Sequence, residues 1–97
     1  MGAIEQAIKD GGKFGVVTPA TVGTSAVRVH TFKKESRALR ILNRHVTAIL
    51  SYSIDGGTDY FSIGPYGQIE LPLRGFTLDL KSDTADTGYD IQFVEAQ

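Results

Sequence analysis

The chain contains 97 residues, of which 41% are hydrophobic and 22% are charged, and its formal net charge is −1. These values are typical of one small globular domain, and they lack the basic balance that nucleic-acid binding favours. The absence of cysteine excludes disulfide bonds and thiolate metal sites. No segment approaches the roughly 20 apolar residues that a membrane helix requires. We therefore expect a domain with no nucleic-acid partner, no membrane contact and no cofactor.

Residues 1–24 differ in character from the rest of the chain and are predicted to form an N-terminal arm. Ile4, Ala7 and Ile8 follow the i, i+3, i+4 spacing of an amphipathic helix, which predicts a short helix over residues 2–9. Small residues, glycines and a proline dominate the segment that follows. This composition predicts an extended chain with one short edge strand at residues 14–17.

Residues 25–97 show the period-two alternation of strands that have one face in a core and the other in water. The alternation predicts an all-β domain of about seven strands, either a small antiparallel β-sandwich or a barrel, since both share this pattern. Asp55-Gly56-Gly57-Thr58 supplies residues that adopt positive φ in a tight hairpin. The predicted inward positions are Ala48/Leu50/Tyr52/Ile54, Phe61/Ile63, Ile69/Leu71/Leu73, Phe76/Leu78/Leu80 and Tyr89/Ile91/Phe93.

Single positions lead to further expectations about orientation. Pro72 has no N–H to donate, which places its strand at a sheet edge or ends it there. Val27 is expected to face inward and His30 to face solvent. Val94 is expected on the outer face, where a cluster with Ile49 would mark a protein interface.

The sequence offers three leads to catalysis or metal binding, and each has a simpler interpretation. Asp86-Thr87-Gly88 matches the tripeptide of aspartic proteases, but a polar turn with positive φ at Gly88 explains it better, because no apolar strand precedes it. The aspartates of this region lack the alternate spacing of an EF-hand loop. His30 and His45 have no neighbouring nucleophile or third ligand. We therefore predict no catalytic residue and no metal site.

Two tyrosines are candidate ligand-binding residues. Tyr60 and Tyr66 lie beside predicted turns, where an exposed aromatic ring could stack on a sugar. Tyr52 and Phe61 fall on the predicted core face instead. We therefore list only Tyr60 and Tyr66 as candidate glycan-binding residues.

Residues 38–94 also resemble known proteins in the sequence pattern of their strands. The segments that carry the likeness are Leu39-Arg40-Ile41-Leu42-Asn43, the run AILSYSIDGGTDYFSI from Ala48 to Ile63, Ile69-Glu70-Leu71-Pro72-Leu73 and Thr77-Leu78-Asp79-Leu80-Lys81-Ser82. In these segments the chain is similar to small β-sandwich structural proteins, such as decoration and accessory proteins, of tailed bacteriophage virions. The first 24 residues do not share the likeness.

The resemblance implies a non-enzymatic virion structural protein, a capsid decoration or cement protein that binds the shell through its arm and sheet surface. Its partners would be the major capsid protein or other virion proteins, in a homo-oligomer or multivalent assembly. Its location would be the virion, assembled in the host cytoplasm. The alternative is a neck, tail or fibre component that contacts host glycans.

The arm hypothesis makes its own prediction about folding. Deleting residues 1–17 should leave the sandwich folded but abolish incorporation into the virion, because the arm would contact only a neighbouring subunit. The apolar residues that would anchor the arm on that partner are Ile4, Ala7, Ile8, Phe14, Val16 and Val17.

Overall fold

A computed structural model describes residues 2–97 and shows one helix and eight strands in that range. Helix α1 spans Ala3–Lys9. Every strand pairs antiparallel with its neighbours. The strands are β1 Lys13–Val22, β2 Val27–Thr31, β3 Ser36–Asn43, β4 Leu50–Ser53, β5 Phe61–Ile63, β6 Gln68–Leu71, β7 Thr77–Ser82 and β8 Thr87–Glu95.

The strands form two four-stranded sheets, one in the order β1-β8-β3-β6 and the other in the order β2-β7-β4-β5. The chain therefore crosses from one sheet to the other at most connections, and its first and last strands pair side by side. This order of eight strands in two sheets is that of a jelly roll. The predicted antiparallel β-sandwich is thus confirmed, with eight strands instead of seven, and the sheets do not close into a barrel.

Four connections, β1–β2, β3–β4, β5–β6 and β7–β8, lie at the same end of the sandwich, because neighbouring strands run in opposite directions. Main-chain hydrogen bonds join the last three of them: the Asp83 N–H donates to the Ile49 oxygen at 3.2 Å, and the Tyr66 N–H donates to the His45 oxygen at 3.1 Å. We call these connections the four-loop rim, which comprises residues 23–26, 44–49, 64–67 and 83–86.

The core lies between the sheets, at positions that the alternation predicts. Phe61 is an exception: it is 57% exposed, because β5 is a three-residue strand at a sheet edge. Phe76, which precedes β7, and Leu71, the last residue of the edge strand β6, are also exposed, whereas Tyr52 is buried as predicted. The fully buried aliphatic side chains of the core are Leu39, Ile41 and Ile91 from one sheet and Leu50, Leu78 and Leu80 from the other.

The N-terminal segment is part of the sandwich, which corrects the predicted arm. Residues 13–22 form β1, which pairs along β8, and they contribute Val17 and Val22 to the core. The boundary at residue 24 therefore does not separate two units. The sequence predicted an arm because Gly15 and Pro19 interrupt the alternation in this segment. The segment is nevertheless a strand, because it pairs with β8 from the other end of the sequence.

The short helix expected over residues 2–9 is observed as α1, and it lies on the outer face of the β1-β8-β3-β6 sheet. Ile4 is buried there against Ala38 and Val94. Val94 is accordingly on the outer face, as alternation predicts, but is fully buried beneath the helix. A helix of seven residues is marginal alone in water, so this packing stabilises it.

Strand β2 departs from its predicted orientation. Its register against β7 shifts between Arg28 and His30, and such an irregularity changes which side chains face inward. Val27 precedes the shift and lies opposite the buried Leu80, but it is exposed because it is the first residue of an edge strand. His30 is half-buried, with its ring centroid 4.8 Å from that of Phe32 and 4.7 Å from that of Phe93. The expectation that His30 faces solvent was therefore wrong.

The turns agree with the sequence in one place and differ in another. Gly56 and Gly57 both adopt positive φ in the β4–β5 connection, as the Asp-Gly-Gly sequence predicts. In the β7–β8 connection it is Asp86 that has positive φ, at 57°, and not Gly88. Strand β6 lies at a sheet edge and ends just before Pro72, as predicted.

Candidate functional site on the four-loop rim

Two loops of the four-loop rim are held together by one buried side chain, Asn43, at the end of β3. Its Nδ2 donates to the main-chain oxygens of Ala48, Ile63 and Gly64 at 2.8, 3.1 and 3.0 Å. Its Oδ1 accepts the His45 N–H at 3.0 Å. Because Asn43 is fully buried, these bonds are shielded from water and fix the β3–β4 and β5–β6 loops relative to each other.

His45 organises the β3–β4 loop from within. Its Nδ1 accepts the N–H groups of Thr47 and Ala48 at 3.1 and 3.0 Å. A ring nitrogen that accepts hydrogen bonds carries no proton, so the neutral ring has its proton on Nε2. His45 also receives the N–H of Tyr66 at its main-chain oxygen. Its role is therefore to shape the loop and to position Tyr66.

Tyr66 lies in a turn whose geometry favours glycine. Gly64-Pro65-Tyr66-Gly67 closes through a hydrogen bond from the Gly67 N–H to the Gly64 oxygen at 2.8 Å. Pro65 fixes a negative φ at the second position, and Tyr66 has a φ of 55° at the third, which is the pattern of a type II turn. A bulky residue with positive φ is an outlier that costs about 1–3 kcal/mol. The surrounding hydrogen bonds keep Tyr66 in this conformation.

Tyr66 and Val46 are the most exposed large apolar residues of the four-loop rim, at 63% and 60%. The hydrogen bond to His45 places Tyr66 beside the residue that precedes Val46. Ile49, on the same loop as Val46, is also exposed. Exposed apolar residues on adjoining loops are candidates for a binding surface. We call Val46, Ile49 and Tyr66 the rim patch.

A carboxylate joins the rim patch to the β7–β8 loop. Asp83 accepts the Ile49 N–H at 2.9 Å, and this hydrogen bond is the main reason that the pKa of Asp83 lies below its ordinary value. Thr84 donates a second hydrogen bond to the same oxygen. Asp83 therefore stays ionised at neutral pH and holds the base of Ile49 in place.

The two tyrosines proposed for glycan binding lie at opposite ends of the sandwich. Tyr60 precedes β5, whereas Tyr66 follows it. The Lys81 Nζ lies 4.1 Å from the centroid of the Tyr60 ring, which occupies one ring face with a cation–π contact. The structure therefore does not bring Tyr60 and Tyr66 into one site, and only Tyr66 is strongly exposed.

The six residues predicted to anchor the arm fall into two groups. Ile4 and Val17 are buried within this chain, and Ala7 is half-buried against the same sheet. These three are therefore used in the fold itself. The three that remain exposed are Ile8, Phe14 and Val16.

The Asp86-Thr87-Gly88 sequence forms a turn. Thr87 is fully buried and donates to the Thr84 oxygen at 2.8 Å, while its hydroxyl lies 2.7 Å from that of Ser82. Within residues 2–97, no three histidine, aspartate or glutamate side chains are placed to hold a metal ion. In the same range, no helix has both the length and the apolar character needed to cross a membrane.

A concave region lies elsewhere, between α1 and the C-terminal residues. It is an open groove of about 850 Å³, lined in part by Arg37 and Arg74. Both guanidinium groups contact the same carboxylate, Glu35, at 3.5 and 3.7 Å. Since these charges have a partner within the chain, we place the candidate site on the four-loop rim.

Sequence reasoning found Tyr66 but missed the residues around it. Residues 43–45 read as a turn in the sequence, but the connection continues through Val46 as far as Ile49, and β4 begins only at Leu50. The Gly-Pro-Tyr-Gly run indicates the turn at Tyr66, and the further signal within it is a tyrosine at the position where glycine is preferred. The role of Asn43 depends on three oxygens from other segments, so the sequence alone does not reveal it.

Comparisons with known proteins leave the function open. No protein-family model matches this chain, and no curated protein matches it. Two crystal structures of the capsular polysaccharide assembling protein CapF from Staphylococcus aureus are similar to it, with TM-scores of 0.46 and 0.44 and 11% identity in both. The similarity covers 89% of this chain, which spans 23% and 25% of the length of those chains. Likeness at this level carries no argument about function, which is inferred below from the surface of the chain itself.

Proposed function

We propose that this chain is a non-enzymatic structural protein of a virion, a capsid decoration or cement protein that docks on the shell through the rim patch. The observation that carries the proposal is Tyr66, an exposed aromatic residue held at positive φ. Glycine would occupy this position at lower energy, so a tyrosine there is explained by a contact that its ring makes. Tyrosine is among the residues that dominate binding energy in protein interfaces.

Two further features support a shell as the partner. Jelly rolls are a common architecture of viral capsid proteins, although lectins and cupins share it, so this support is an analogy between folds. The strands also resemble those of phage virion structural proteins. Because a shell presents many copies of its subunit, a small patch on each decorating molecule is sufficient when the contacts are multivalent.

The structure changes where the shell contact is proposed. Ile4 and Val17 contribute to the fold of this chain and are not available to a partner. The β3–β4 and β5–β6 loops, which carry the rim patch, are by contrast fixed by buried hydrogen bonds and lose little conformational freedom on binding. We therefore move the proposed shell contact from the N-terminal segment to the rim patch.

The test is co-sedimentation of the full chain with virus particles, followed by mass spectrometry of the pellet. We expect recovery in stoichiometric amounts with a major capsid protein. Tyr66→Gly should weaken the association about tenfold or more, because it removes the ring while keeping the turn. Asp86→Gly is the matched control: it relaxes the other non-glycine residue of positive φ on the rim and should bind like the wild type.

Two outcomes would contradict the proposal. Association of Tyr66→Gly at wild-type strength would show that the rim patch is not the contact. Recovery of the wild-type chain with no virion protein would remove the virion role altogether.

The exposed ring of Tyr66 also supports a second candidate, a neck, tail or fibre component that contacts host glycans. In that case the chain should be recovered at low copy number with tail proteins. Binding to cell-surface polysaccharide should be lost in Tyr66→Gly and kept in Tyr66→Phe, since stacking on a sugar needs only the ring. Tyr60→Ala should have no effect, because Tyr60 lies at the other end of the sandwich.

A further inference from the structure

We infer that the free edge of β1 pairs with β1 of a second copy of the chain, so that two sandwiches form a dimer with one continuous eight-stranded sheet. The inference is independent of the proposed virion role. β1 is the outermost strand of its sheet, with β8 on one side only. Such a strand presents a row of main-chain N–H and C=O groups that another strand can pair with.

The four edge strands of the sandwich differ in how they are protected from such pairing. Short length and charged side chains are the usual protection. β5 has three residues, β6 carries Glu70 and β2 carries Arg28. β1 has ten residues and no charge beyond Lys13, and its proline and its register shift, which also protect an edge, are confined to the part after Val17. Its register against β8 is regular from Lys13 to Val17, so this segment is a straight and unprotected edge.

The side chains of this segment suit an apolar partner strand. Phe14 and Val16 alternate with Val17, whose side chain is buried in the core, and therefore lie on the outer face. They are 47% and 55% exposed. A third exposed apolar residue, Ile8, precedes β1 in the sequence and belongs to α1, which covers the same outer face of the sheet. A partner strand should thus be uncharged and apolar on one face, which describes β1 itself.

Gly15 is the middle residue of the regular segment Lys13–Val17. A two-fold axis at Gly15 therefore pairs all five residues of this segment, antiparallel, with the same five residues of the second copy. Phe14 then lies opposite Val16 of the second copy, so the exposed apolar side chains cover each other. Lys13 lies opposite Val17 of the second copy, so the two lysines do not meet. Because both copies use the same strand, the interface is closed and leaves no β1 edge from which a fibre could grow.

The first test measures the mass of the full chain in solution over a range of concentrations, by size exclusion with light scattering. We expect a dimer. Val16→Lys puts a charge on the edge and should weaken the dimer about tenfold or more. Val27→Lys is the matched control, because Val27 is 50% exposed on the edge strand β2 of the other sheet, and it should leave the dimer intact. A cooperative urea transition of each variant, measured at a concentration where the chain is monomeric, would show that both remain folded.

Several results would overturn the inference. A wild-type chain that stays monomeric at several hundred micromolar has no such interface. A dimer that Val16→Lys and Val27→Lys weaken equally, or that Val16→Lys leaves unchanged, uses another surface.

The second test addresses the register and exploits the absence of cysteine from the chain. Phe14→Cys and Val16→Cys proteins are mixed and oxidised under mild conditions. In the proposed register the two variants cross-link to each other faster than either does to itself, since residue 14 faces residue 16 across the axis. Preferential self-linking of Val16→Cys would exclude the axis at Gly15.

Discussion

The turn that contains Tyr66 provides a direct test of backbone strain. We expect Tyr66→Gly to raise the free energy of unfolding by about 1 kcal/mol, because the relief at positive φ outweighs the conformational entropy that glycine loses on folding. Tyr66→Ala is the matched control, since it removes the ring but keeps the strained φ, and it should bring no gain. The measurement is urea denaturation of both variants. Equal stabilities would show that the φ of Tyr66 carries no penalty.

Asn43 is the residue whose loss should affect the four-loop rim most. Asn43→Ala leaves the buried oxygens of Ala48 and Ile63 without their donor, and we expect the free energy of unfolding to fall by about 3 kcal/mol. Thr47→Ala, an exposed change on the loop that follows, should fall within about 0.5 kcal/mol of the wild type. Denaturant unfolding measures both, and an Asn43→Ala loss no larger than that of Thr47→Ala would refute the structural role.

At the scale of residues, the sequence predicts what depends on neighbours in the chain. Alternation places Leu39 and Ile41 in the core correctly, and the Gly-Pro-Tyr-Gly run marks the turn at Tyr66. Asn43 could be recognised only as the end of a strand. Its importance arises from acceptors that come close after folding, and no local pattern contains that information.

Helix α1 depends on a residue of β6 for its N-terminal cap. Gly2 precedes the helix and offers no side chain to cap it. Glu70 takes this role: its Oε2 accepts the Ile4 N–H at 3.1 Å, and its Oε1 accepts the Arg40 Nε–H at 3.0 Å. A side chain at Gly2 would collide with the Glu70 carboxylate. The helix therefore forms as part of the sheet surface and not by its own propensity.

The cap makes the helix sensitive to acid. The hydrogen bond from the Ile4 N–H, and next the one from Arg40, holds the pKa of Glu70 below its ordinary value. A depressed pKa means that this contribution to stability is fully present above the unfolded pKa, about 4.3, and is lost as the pH falls through the folded value. In Glu70→Gln that part of the acid dependence should disappear, because the residue no longer titrates.

The measurement is urea unfolding and amide exchange of the α1 residues at pH 7 and pH 3. At pH 7 Glu70→Gln should be less stable than the wild type, and the difference should shrink at pH 3. Glu5→Gln removes an exposed carboxylate from the same helix. Its stability relative to the wild type should be the same at pH 7 and pH 3. A constant gap between Glu70→Gln and the wild type at both pH values would contradict the capping role.

At the scale of elements, the strands with clear alternation were predictable, whereas only residues 14–17 of β1 were predicted, as a short edge strand, and its continuation to Val22 was not. Its partner, β8, lies at the other end of the sequence, and pairs such as Val17 with Ile91 leave no local trace. Gly15 and Pro19 made the segment look extended and irregular. Tertiary pairing overrides such weak local propensity, because strand preference depends on the neighbours that a strand acquires.

At the scale of the whole molecule, the pairing of first and last strands makes the N-terminal segment part of the cooperative unit. β1 contributes Val17 and Val22 to the core and covers one side of β8, whereas α1 contributes only the outer cluster around Ile4. The two parts of the N-terminal segment should therefore differ in what their removal does. This is the opposite of an arm that can be deleted without effect on folding.

Two truncations distinguish these possibilities. Deleting residues 1–12 removes the helix and should leave a folded sandwich of lower stability, because Ala38 and Val94 become exposed. Deleting residues 1–17 also removes half of β1, and with it Val17, which belongs to the core. The edge of β8 beside Ile91 then has no partner strand, so we expect a chain that is unfolded or aggregated. Chemical-shift dispersion in NMR spectra, with urea unfolding, separates a folded from an unfolded chain. A well-folded protein lacking residues 1–17 would restore the interpretation of this segment as an arm. It would also contradict the premise of the proposed dimer, that residues 13–17 are a fixed edge strand of the sandwich.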